Sequence, residues 1–352
     1  MNQPTLLLLF GGGGYEHEVS LRSAAALSTS LRSAAYPHLT VGITREGAWY
    51  LYSGDFKSIA DGSWEREHEH LTPVLPCPRG LLKTESGEIL REIVVFPCLH
   101  GTGGEDGRMQ GLLELYRIPY VGCNAEVSAI CMNKSLTKDL LLSHHIPMVG
   151  KVAARISDDA ETTRLVNRAE TRFLYPMFVK PARCGSSVGA SLAKSRAECL
   201  RAVSVAAQYD STVLIERYVK GREIELAVLQ SSPEAPPLVS PPCEPIYHAQ
   251  FYDYKAKYDG KGAQLSIPAK LPKHTADVLV RLAEQIFTIL GCRHLARVDF
   301  FVGENGEVLF NEINTIPGMT ACSIFPAAMR EVGEPIEKWL PALADAALKQ
   351  GA

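Results

Sequence analysis

The clearest alternation of apolar and polar residues lies late in the sequence, in Leu295–Val302 and Val308–Asn314. Such period-two alternation is typical of half-buried β-strands. The segment between them contains Asn305 followed by Gly306. This pair favours a tight hairpin turn, because both central residues of a type I′ turn need positive φ. The sequence therefore predicts a β-hairpin centred on Asn305 and Gly306.

This hairpin would place Asp299 opposite Glu312 and Arg297 opposite Asn314, on one face of the sheet. The other face should be a core face of apolar residues, namely Val298, Phe300, Val302, Leu309 and Ile313. Two carboxylates roughly 4 Å apart at an effective dielectric of about 20 repel by ~4 kcal/mol, so a cation is expected between them. Carboxylate and amide oxygens suit Mg²⁺ or Mn²⁺. The hairpin thus predicts a metal–nucleotide platform. The alternative is an edge hairpin with solvated charges, in which Arg297 neutralises Asp299.

The first part of the sequence has the pattern of an open, doubly wound α/β sheet. A predicted strand, Thr5–Phe10, is followed by a glycine turn and by a predicted helix over Glu16–Ser33. A second buried strand, Glu92–Leu99, ends at His100 and leads into a glycine-rich segment. Ligands of open α/β sheets bind at the carboxyl ends of such strands. Between these elements, residues 54–70 are predicted to form a variable surface loop.

Several features of this pattern suggest ligand contacts, although each has a plainer interpretation. Glu16 at a helix start could hold a substrate ammonium, or it could only stabilise the helix dipole. His100 could contact a ligand or be a core or turn histidine. The glycine- and serine-rich segment Pro181–Gly189, after the predicted strand Tyr175–Lys180, offers hydroxyls and backbone N–H groups that could cradle phosphates. It could equally be an ordinary turn.

The remaining pattern predicts elements that alternate between helix and strand. Residues 126–147 are predicted to be one helix, and Val213–Val219 and Glu223–Leu229 are predicted strands. Residues Phe251–Tyr258 are aromatic, basic and not periodic, which is typical of a mobile loop over a site. Residues 275–290 are predicted to be an amphipathic helix.

Composition narrows the class of protein. The 352 residues are 46% hydrophobic and 21% charged, with a net charge of −3, which gives no electrostatic reason to expect nucleic acid or an anionic membrane surface. No apolar stretch approaches the ~18 residues of a membrane span, and the apolar run near the N-terminus is predicted to be a strand and not a signal peptide. Nine cysteines without a C-x-x-C motif fit reduced thiols in the cytoplasm.

Six motifs, taken together and in order, resemble those of D-alanine–D-alanine ligases in the ATP-grasp superfamily. They are Glu16-His-Glu-Val-Ser20, His100-Gly-x-x-Gly-Glu-Asp-Gly107, Lys180-Pro-x-x-x-Gly-Ser-Ser-Val-Gly189, Tyr252-Asp-Tyr-Lys-Ala-Lys-Tyr258, Arg297-x-Asp-Phe-Phe301 and Asn311-Glu-Ile-Asn-Thr-x-Pro-Gly-Met-Thr320. The resemblance implies an α/β domain at 1–125, a central ATP-grasp lobe at 126–212 and a C-terminal lobe at 213–352. Antiparallel sheets of the two lobes would clamp ATP, and two D-alanine molecules would be joined through a D-alanyl phosphate.

The resemblance also implies roles for individual residues. ATP would be bound by Lys134, Lys180, Ser187, Glu216, Arg217, Val219, Glu223, Phe251 and Lys257. The first D-alanine would contact Glu16 and His100, and the second would contact Ser323 and Ile324. A hydrogen-bonded triad would comprise Glu16, Ser186 and Tyr258, and an oxyanion hole would comprise Arg297 and the Gly318 N–H. Two Mg²⁺ or Mn²⁺ ions would be held by Asp299, Glu312 and Asn314.

The acceptor and the setting are expectations of the same kind. Tyr258 favours an amine as the second nucleophile, because relatives that make D-alanyl-D-lactate replace this tyrosine. A related ligase with D-serine, D-lactate or another acceptor is one alternative, and a nucleotide-binding regulator without catalysis is another. The resemblance implies a cytoplasmic homodimer that serves peptidoglycan precursor synthesis, with no nucleic acid or membrane partner.

Overall fold

A computed structural model describes residues 3–232, 234–246, 264–320 and 322–350 of this chain. They form a mixed sheet near the N-terminus, two antiparallel four-stranded sheets and a two-stranded pair. Among the helices of these residues, none is long and apolar enough to cross a membrane.

The first sheet has seven strands in the order β6-β5-β4-β3-β2-β1-β7. These strands are β1 (Thr5–Gly11), β2 (His38–Ile43), β3 (Trp49–Tyr52), β4 (Leu71–Cys77), β5 (Gly80–Lys83), β6 (Ile89–Leu90) and β7 (Ile93–Pro97). β1 is parallel to both of its neighbours, β2 and β7. Residues 6–10 of β1 are fully buried, as expected for a central parallel strand covered on both faces. The predicted α/β opening is therefore confirmed.

Three helices accompany this sheet, namely α1 (His17–Ser33), α2 (Phe56–Asp61) and α3 (Arg108–Leu115). The prediction of a surface loop over residues 54–70 was wrong. The segment contains α2 and two short 3₁₀ helices, and Trp64 is fully buried with its ring 5.1 Å from that of Phe10. The apolar residues of this segment are few and separated by charged ones, so its sequence resembles a loop although Trp64 anchors it to the core.

The second sheet has the order β10-β9-β11-β8. This region comprises α4 (Ala125–Met132), α5 (Lys134–Ser143), β8 (Lys151–Arg155), α6 (Asp159–Glu170), β9 (Met177–Pro181), β10 (Ser191–Ala193), α7 (Arg196–Ala206) and β11 (Thr212–Arg217). β11 pairs with β8 and β9, so this sheet extends beyond the expected boundary at residue 212. The single helix predicted over 126–147 is divided in two at Asn133, whose side chain caps α5.

The third sheet has the order β13-β12-β16-β17. The last part of the chain comprises β12 (Gly221–Gln230), β13 (Leu238–Val239), β14 (Glu244–Ile246), β15 (Gln264–Ser266), α8 (Lys273–Ile289), β16 (His294–Gly303), β17 (Val308–Asn314), α9 (Ile324–Glu331) and α10 (Ile336–Gln350). β14 and β15 form the two-stranded pair. Helix α8 confirms the amphipathic helix predicted at 275–290.

The β16–β17 hairpin confirms the predicted pairing but corrects the turn. Arg297 pairs with Asn314, and Asp299 pairs with Glu312. Of the two predicted turn residues, only Gly306 has a positive φ (83°), and the Gly303 N–H donates to the Glu307 carbonyl, so the turn is not type I′.

A β-bulge between Asp299 and Phe300 shifts the register, and this shift keeps the predicted polar pairs opposite each other. Phe300 pairs with Phe310, and Asn311 is the additional residue. Phe310 therefore packs in the core face beside Val298 and Ile313. The prediction that Leu309 lies on that face was wrong. Leu309 lies between the turn and the bulge and pairs with Phe301, so it is on the opposite face from Phe300 and Phe310.

Candidate active site

The polar face of the hairpin is a dense cluster of charges. The Arg297 guanidinium donates to both oxygens of Asp299 at 2.8 Å and lies 2.7 Å from a Glu225 oxygen. Asn314 donates to Asp299 at 2.9 Å. Burial alone would lower the pKa of Arg297, but Asp299 and Glu225 hold it well above its ordinary value. Arg297 is therefore a fixed cation, and part of the alternative interpretation is correct because Arg297 does neutralise Asp299.

The donor atoms of this face fit a hard divalent cation. Asp299, Glu312 and Asn314 present carboxylate and amide oxygens on neighbouring strands, which are the ligands that Mg²⁺ and Mn²⁺ prefer. Within the described ranges, no group of three or more His, Cys, Asp or Glu side chains could hold a metal by itself. Two carboxylates and one amide would leave positions for phosphate oxygens, as is usual for Mg²⁺ in nucleotide sites.

A cavity of about 490 Å³ lies beside this face, between the second and third sheets. Its wall includes residues predicted to bind ATP, namely Lys134, Lys180, Ser187, Glu216, Arg217, Val219 and Glu223. Ser186 and Ser187 have positive φ values of 49° and 59°. Two consecutive non-glycine residues in the left-handed region cost free energy and are typical of functional loops. The predicted phosphate loop is therefore a specialised turn beside a cavity.

Two buried lysines, Lys138 and Lys180, pair with Glu216, and of these three residues Lys180 and Glu216 line the cavity. Glu216 is 2% exposed; Lys138 bonds one of its oxygens, and Lys180 lies 2.8 Å from the other. Burial alone would raise the pKa of Glu216, but both lysines hold it below its ordinary value. Burial lowers the pKa of Lys138 to about 8, while Glu216 and Glu312 hold that of Lys180 above normal despite burial. Lys180 therefore carries a charge beside the cavity at neutral pH.

Lys134 lies where the cavity meets the hairpin. Its ammonium donates to the Cys184 carbonyl at 2.8 Å and lies 3.4 Å from a Glu312 oxygen. It is the first residue of α5, and Asn133 caps that helix by accepting from the N–H groups of residues 135 and 136 at 3.2 Å. The cap thus fixes the start of the helix that carries Lys134 and Lys138.

A second cavity, of about 1040 Å³, meets the first at Lys134, Ser186 and Glu312, which line both. Its wall includes the residues predicted for the two amino acids and for the oxyanion hole, namely Glu16, His100, Arg297, Gly318, Ser323 and Ile324. A polyanion in one cavity and a small zwitterion in the other would meet at the hairpin face.

Glu16 lies at the wall between the two glycine-rich loops. It accepts a hydrogen bond from the Ser186 hydroxyl, so two members of the predicted triad are in contact. Gly101 has a φ of 67°, and a Cβ there would clash with Glu16 Oε2. A Cβ at Gly185 would lie 2.7 Å from the same oxygen. A side chain at either glycine would therefore displace this carboxylate. Tyr258, Phe251 and Lys257 lie outside the described residues.

The segment 315–320, which carries Gly318, follows β17 and leads into α9. Ser323 is the residue before α9, and its hydroxyl accepts from the Thr320 N–H at 3.1 Å. A Cβ on Gly318 would lie 2.9 Å from this hydroxyl, so a side chain there would displace Ser323. The N-terminus of α9 faces the cavity through Ser323 and Ile324, where a helix dipole favours a carboxylate.

His100 contacts this segment and not only the cavity. Its Nδ1 donates to the Ile316 carbonyl at 2.9 Å, and its Nε2 lies 2.9 Å from the Ser23 hydroxyl. Burial lowers the pKa of His100, so the imidazole is neutral. The interpretation of His100 as a buried, satisfied histidine is therefore correct as far as its hydrogen bonds go, although the side chain also lines the cavity.

Sequence reasoning missed two buried charged residues of this region. Lys138 holds Glu216, and Glu105 accepts from the backbone N–H groups of Gly101 and Ile316. Lys138 follows Lys134 by one helical turn, which was a detectable signal because such residues share a face. Glu105 lies in the motif His100–Gly107. Its partner Ile316 is distant in sequence, so no local pattern could identify the contact between them.

Comparisons with known proteins agree on one family. The family model described as D-ala D-ala ligase N-terminus matches residues 5–123, and the model described as D-ala D-ala ligase C-terminus matches residues 140–343. A D-alanine–D-alanine ligase from Caldicellulosiruptor bescii is 40% identical over 355 residues, which cover 99% of this chain and 96% of that protein. A relative of that name from Acetivibrio thermocellus is 39% identical over 98% of this chain and 96% of its own length.

Solved structures give the same result. The D-alanine–D-alanine ligase from Coxiella burnetii has a TM-score of 0.85 and 32% identity, covering 99% of this chain and 95% of that one. The VanG D-Ala:D-Ser ligase from Enterococcus faecalis has a TM-score of 0.87 and 32% identity, covering 98% of this chain and 100% of that one. The similarity therefore extends over sequence, fold and nearly the full length.

Proposed function

Because this chain belongs to the D-alanine–D-alanine ligase family, we propose that it joins two D-alanine molecules in an ATP-dependent reaction that yields D-alanyl-D-alanine, ADP and phosphate. The observation that supports this most directly is the meeting of the two cavities at Lys134, Ser186 and Glu312. A nucleotide lying in one cavity would present its terminal phosphate to an amino acid in the other.

The first chemical step would join a carboxylate to a phosphoryl group, and both carry negative charge. Glu16 would hold the ammonium of the first D-alanine, which turns its carboxylate towards the hairpin. Lys134 and Lys180 would reduce the repulsion between the carboxylate and the phosphates, and their positions are fixed by Glu312 and Glu216. The carboxylate oxygen would attack the γ-phosphorus, ADP would leave, and D-alanyl phosphate would form.

The second step would form the peptide bond. Ser323 and Ile324, at the N-terminus of α9, would hold the carboxylate of the second D-alanine. Its neutral amine would attack the acyl carbonyl, and phosphate would leave from the tetrahedral intermediate. The nitrogen would lose its extra proton to the departing phosphate, which leaves the neutral amide of the dipeptide. Arg297 and the Gly318 N–H are the donors that would stabilise the negative oxygen of that intermediate.

The remaining assignments are proposed on the same basis. Asp299, Glu312 and Asn314 would hold Mg²⁺ or Mn²⁺, which when bound supplies positive charge to the phosphates. Glu216, Arg217, Val219 and Glu223 would surround the nucleoside, since they line the first cavity. We also propose a cytoplasmic homodimer whose product enters peptidoglycan precursor synthesis. Light scattering would then give about twice the chain mass of 38.4 kDa.

The test is a coupled assay on the purified chain. With ATP, Mg²⁺ and D-alanine, phosphate release should match D-alanyl-D-alanine formation measured by mass spectrometry. A parallel assay with D-serine added addresses the chemistry named for the VanG structure. An assay with D-lactate added tests a hydroxy acid as the acceptor. A mixed product that dominates over D-alanyl-D-alanine would keep the ligase chemistry and replace the proposed acceptor.

A further inference from the structure

The backbone of Ile316 is held at both of its polar groups by side chains from the N-terminal part of the chain. Its N–H donates to Glu105 Oε1 at 2.9 Å, and its carbonyl accepts from His100 Nδ1 at 2.9 Å. Ile316 lies in the segment 315–320, which is outside both β17 and α9 and therefore gains no order from a strand ladder or a helix. The peptide groups around Ile316 are instead oriented by side chains of the loop that follows β7.

Both carboxylate oxygens of Glu105 accept a hydrogen bond from the backbone. Glu105 is 9% exposed, and its second oxygen, Oε2, accepts from the Gly101 N–H at 2.8 Å. Each carboxylate oxygen thus bonds one backbone N–H, and the two N–H groups belong to segments more than two hundred residues apart in sequence. To accept from both N–H groups, a side chain needs two acceptor atoms and no donor. An ionised carboxylate meets this condition, and an amide does not.

A second contact fixes the segment on the other side of Gly318. The Met319 N–H donates to the Ser23 hydroxyl at 3.3 Å, and that hydroxyl lies 2.9 Å from His100 Nε2. Gly318 therefore lies between two backbone positions that the N-terminal part of the chain holds. The direction of the Gly318 N–H therefore depends on how the backbones of Ile316 and Met319 are held.

We propose that Glu105 is a positioning residue that orients the Gly318 N–H for the tetrahedral intermediate by holding the backbone of Ile316. The catalytic part of this inference rests on the proposed function, whereas the structural part does not. Glu105 also lines the second cavity, but both of its oxygens accept from backbone N–H groups, so it would act on the reaction through the segment 315–320. Its loss should therefore reduce turnover more than nucleotide binding, because the first cavity is lined by other residues.

The test compares Glu105→Gln with Asp106→Asn. Asp106 is the next residue and also accepts from backbone N–H groups, those of Gly103 and Arg108, but no hydrogen bond joins it to Ile316. Glu105→Gln keeps the size of the side chain but turns one acceptor into a donor that faces an N–H. We expect kcat to fall by about 10- to 100-fold, because small displacements of catalytic groups cost this much. The KM for ATP should stay within about two-fold.

Hydrogen exchange supplies a readout that does not depend on the substrate. Amide exchange in the peptide covering 315–320 should be faster in Glu105→Gln and unchanged in Asp106→Asn. If Glu105→Gln does not fold, Ser23→Ala takes its place, since it removes the acceptor of the Met319 N–H and should accelerate exchange in the same peptide. A wild-type chain without D-alanine ligation would overturn the proposed function but leave this test valid.

Any of three results overturns the inference. The first is a Glu105→Gln enzyme with wild-type kcat. The second is exchange in 315–320 that neither Glu105→Gln nor Ser23→Ala changes. The third is a rise in the KM for ATP as large as the fall in kcat, because that result means a general loss of structure.

Discussion

At the scale of single residues, Glu312 joins the two halves of the proposed chemistry. It lies opposite Asp299 across the hairpin, 3.4 Å from Lys134, and it lines both cavities. Glu312→Gln keeps the shape of the side chain but removes its charge, which should weaken both the proposed metal site and the ion pair with Lys134.

For Glu312→Gln we therefore expect kcat/KM for ATP to fall by about 100-fold or more, measured by phosphate release over a range of Mg²⁺ concentrations. Asp299→Ala should abolish turnover for the same reason. Glu304→Gln is the matched control, since Glu304 is an exposed residue of the same hairpin that pairs with Lys220. Equal losses in Glu304→Gln and Glu312→Gln would contradict the role given to Glu312.

Glu105 gives a prediction for stability against pH. Burial, with the charge of Glu16 nearby, raises the pKa of Glu105 to about 7, although the N–H groups of Gly101 and Ile316 and the charge of Arg297 oppose the shift. His100, whose ring contacts the Ser23 hydroxyl and the Ile316 carbonyl, has a pKa lowered by burial and is neutral. Because the pKa of Glu105 is higher in the folded state than in the unfolded chain, protonation of Glu105 stabilises the fold. This contribution is complete below the unfolded-state pKa and is lost as the pH rises through about 7.

The wild-type chain should therefore lose stability relative to Glu105→Gln as pH rises from about 5 to 8. Urea unfolding of both proteins at several pH values measures this difference. A gap in unfolding free energy that stays constant over the range would show that the pKa of Glu105 is the same in the folded and unfolded states. A gap that changes in the opposite direction would show that folding lowers this pKa. Either result would contradict the prediction.

At the scale of elements, a helix cap at the start of α5 precedes Lys134, a proposed nucleotide-binding residue. Asn133→Ala removes the acceptor for two N–H groups and should cost about 1 kcal/mol of stability. Because Lys134 is the next residue, the KM for ATP should also rise. Asp158→Ala removes the cap of α6 and should cost a similar free energy.

Asp158→Ala serves as the control for this effect, because Asp158 lines neither cavity. Thermal unfolding and ATP titration on both variants distinguish a cap that only stabilises from one that also places Lys134. An unchanged KM for ATP in Asn133→Ala would mean that the ammonium keeps its place without the cap.

The elements also show which parts of the structure could be predicted from sequence. β1, α1 and α8 follow from local periodicity, whereas the predicted pairing of Asp299 with Glu312 holds only because a bulge offsets the different turn. The break at Asn133 was visible only as a capping residue inside an apolar pattern. The bulge at Asn311 could not be predicted, because it compensates for a turn whose conformation differs from the one that Asn-Gly favours. The Glu105–Ile316 contact depends on how distant segments pack, which no local pattern contains.

At the scale of the whole molecule, the C-terminal helices pack on the first sheet. One hydrophobic cluster contains Leu8 and Phe96 of that sheet together with Phe325 and Trp339. Trp339 is 1% exposed, and its ring lies 5.7 Å from that of Phe325. The two ends of the chain thus share a core, which supports the contacts of Glu105 and His100 with the segment 315–320.

Trp339→Ala should cost about 3–5 kcal/mol of unfolding free energy, because it leaves a large cavity in this shared core. Leu115→Ala is the comparison, since Leu115 is 85% exposed and should change stability by less than about 0.5 kcal/mol. Denaturant unfolding of both variants measures these two losses of unfolding free energy. A small loss in Trp339→Ala would mean that α10 does not depend on this packing.

The proposed reaction requires the two adjoining cavities to bring ATP and two D-alanine molecules to one hairpin. This is tested by the amount of D-alanyl-D-alanine formed per phosphate released, with ATP, Mg²⁺ and D-alanine as the only substrates. We expect one dipeptide per phosphate and no phosphate release without D-alanine. Nucleotide binding with no turnover for any amino acid or hydroxy acid would contradict this expectation, and the site would then be one that binds ATP without using it.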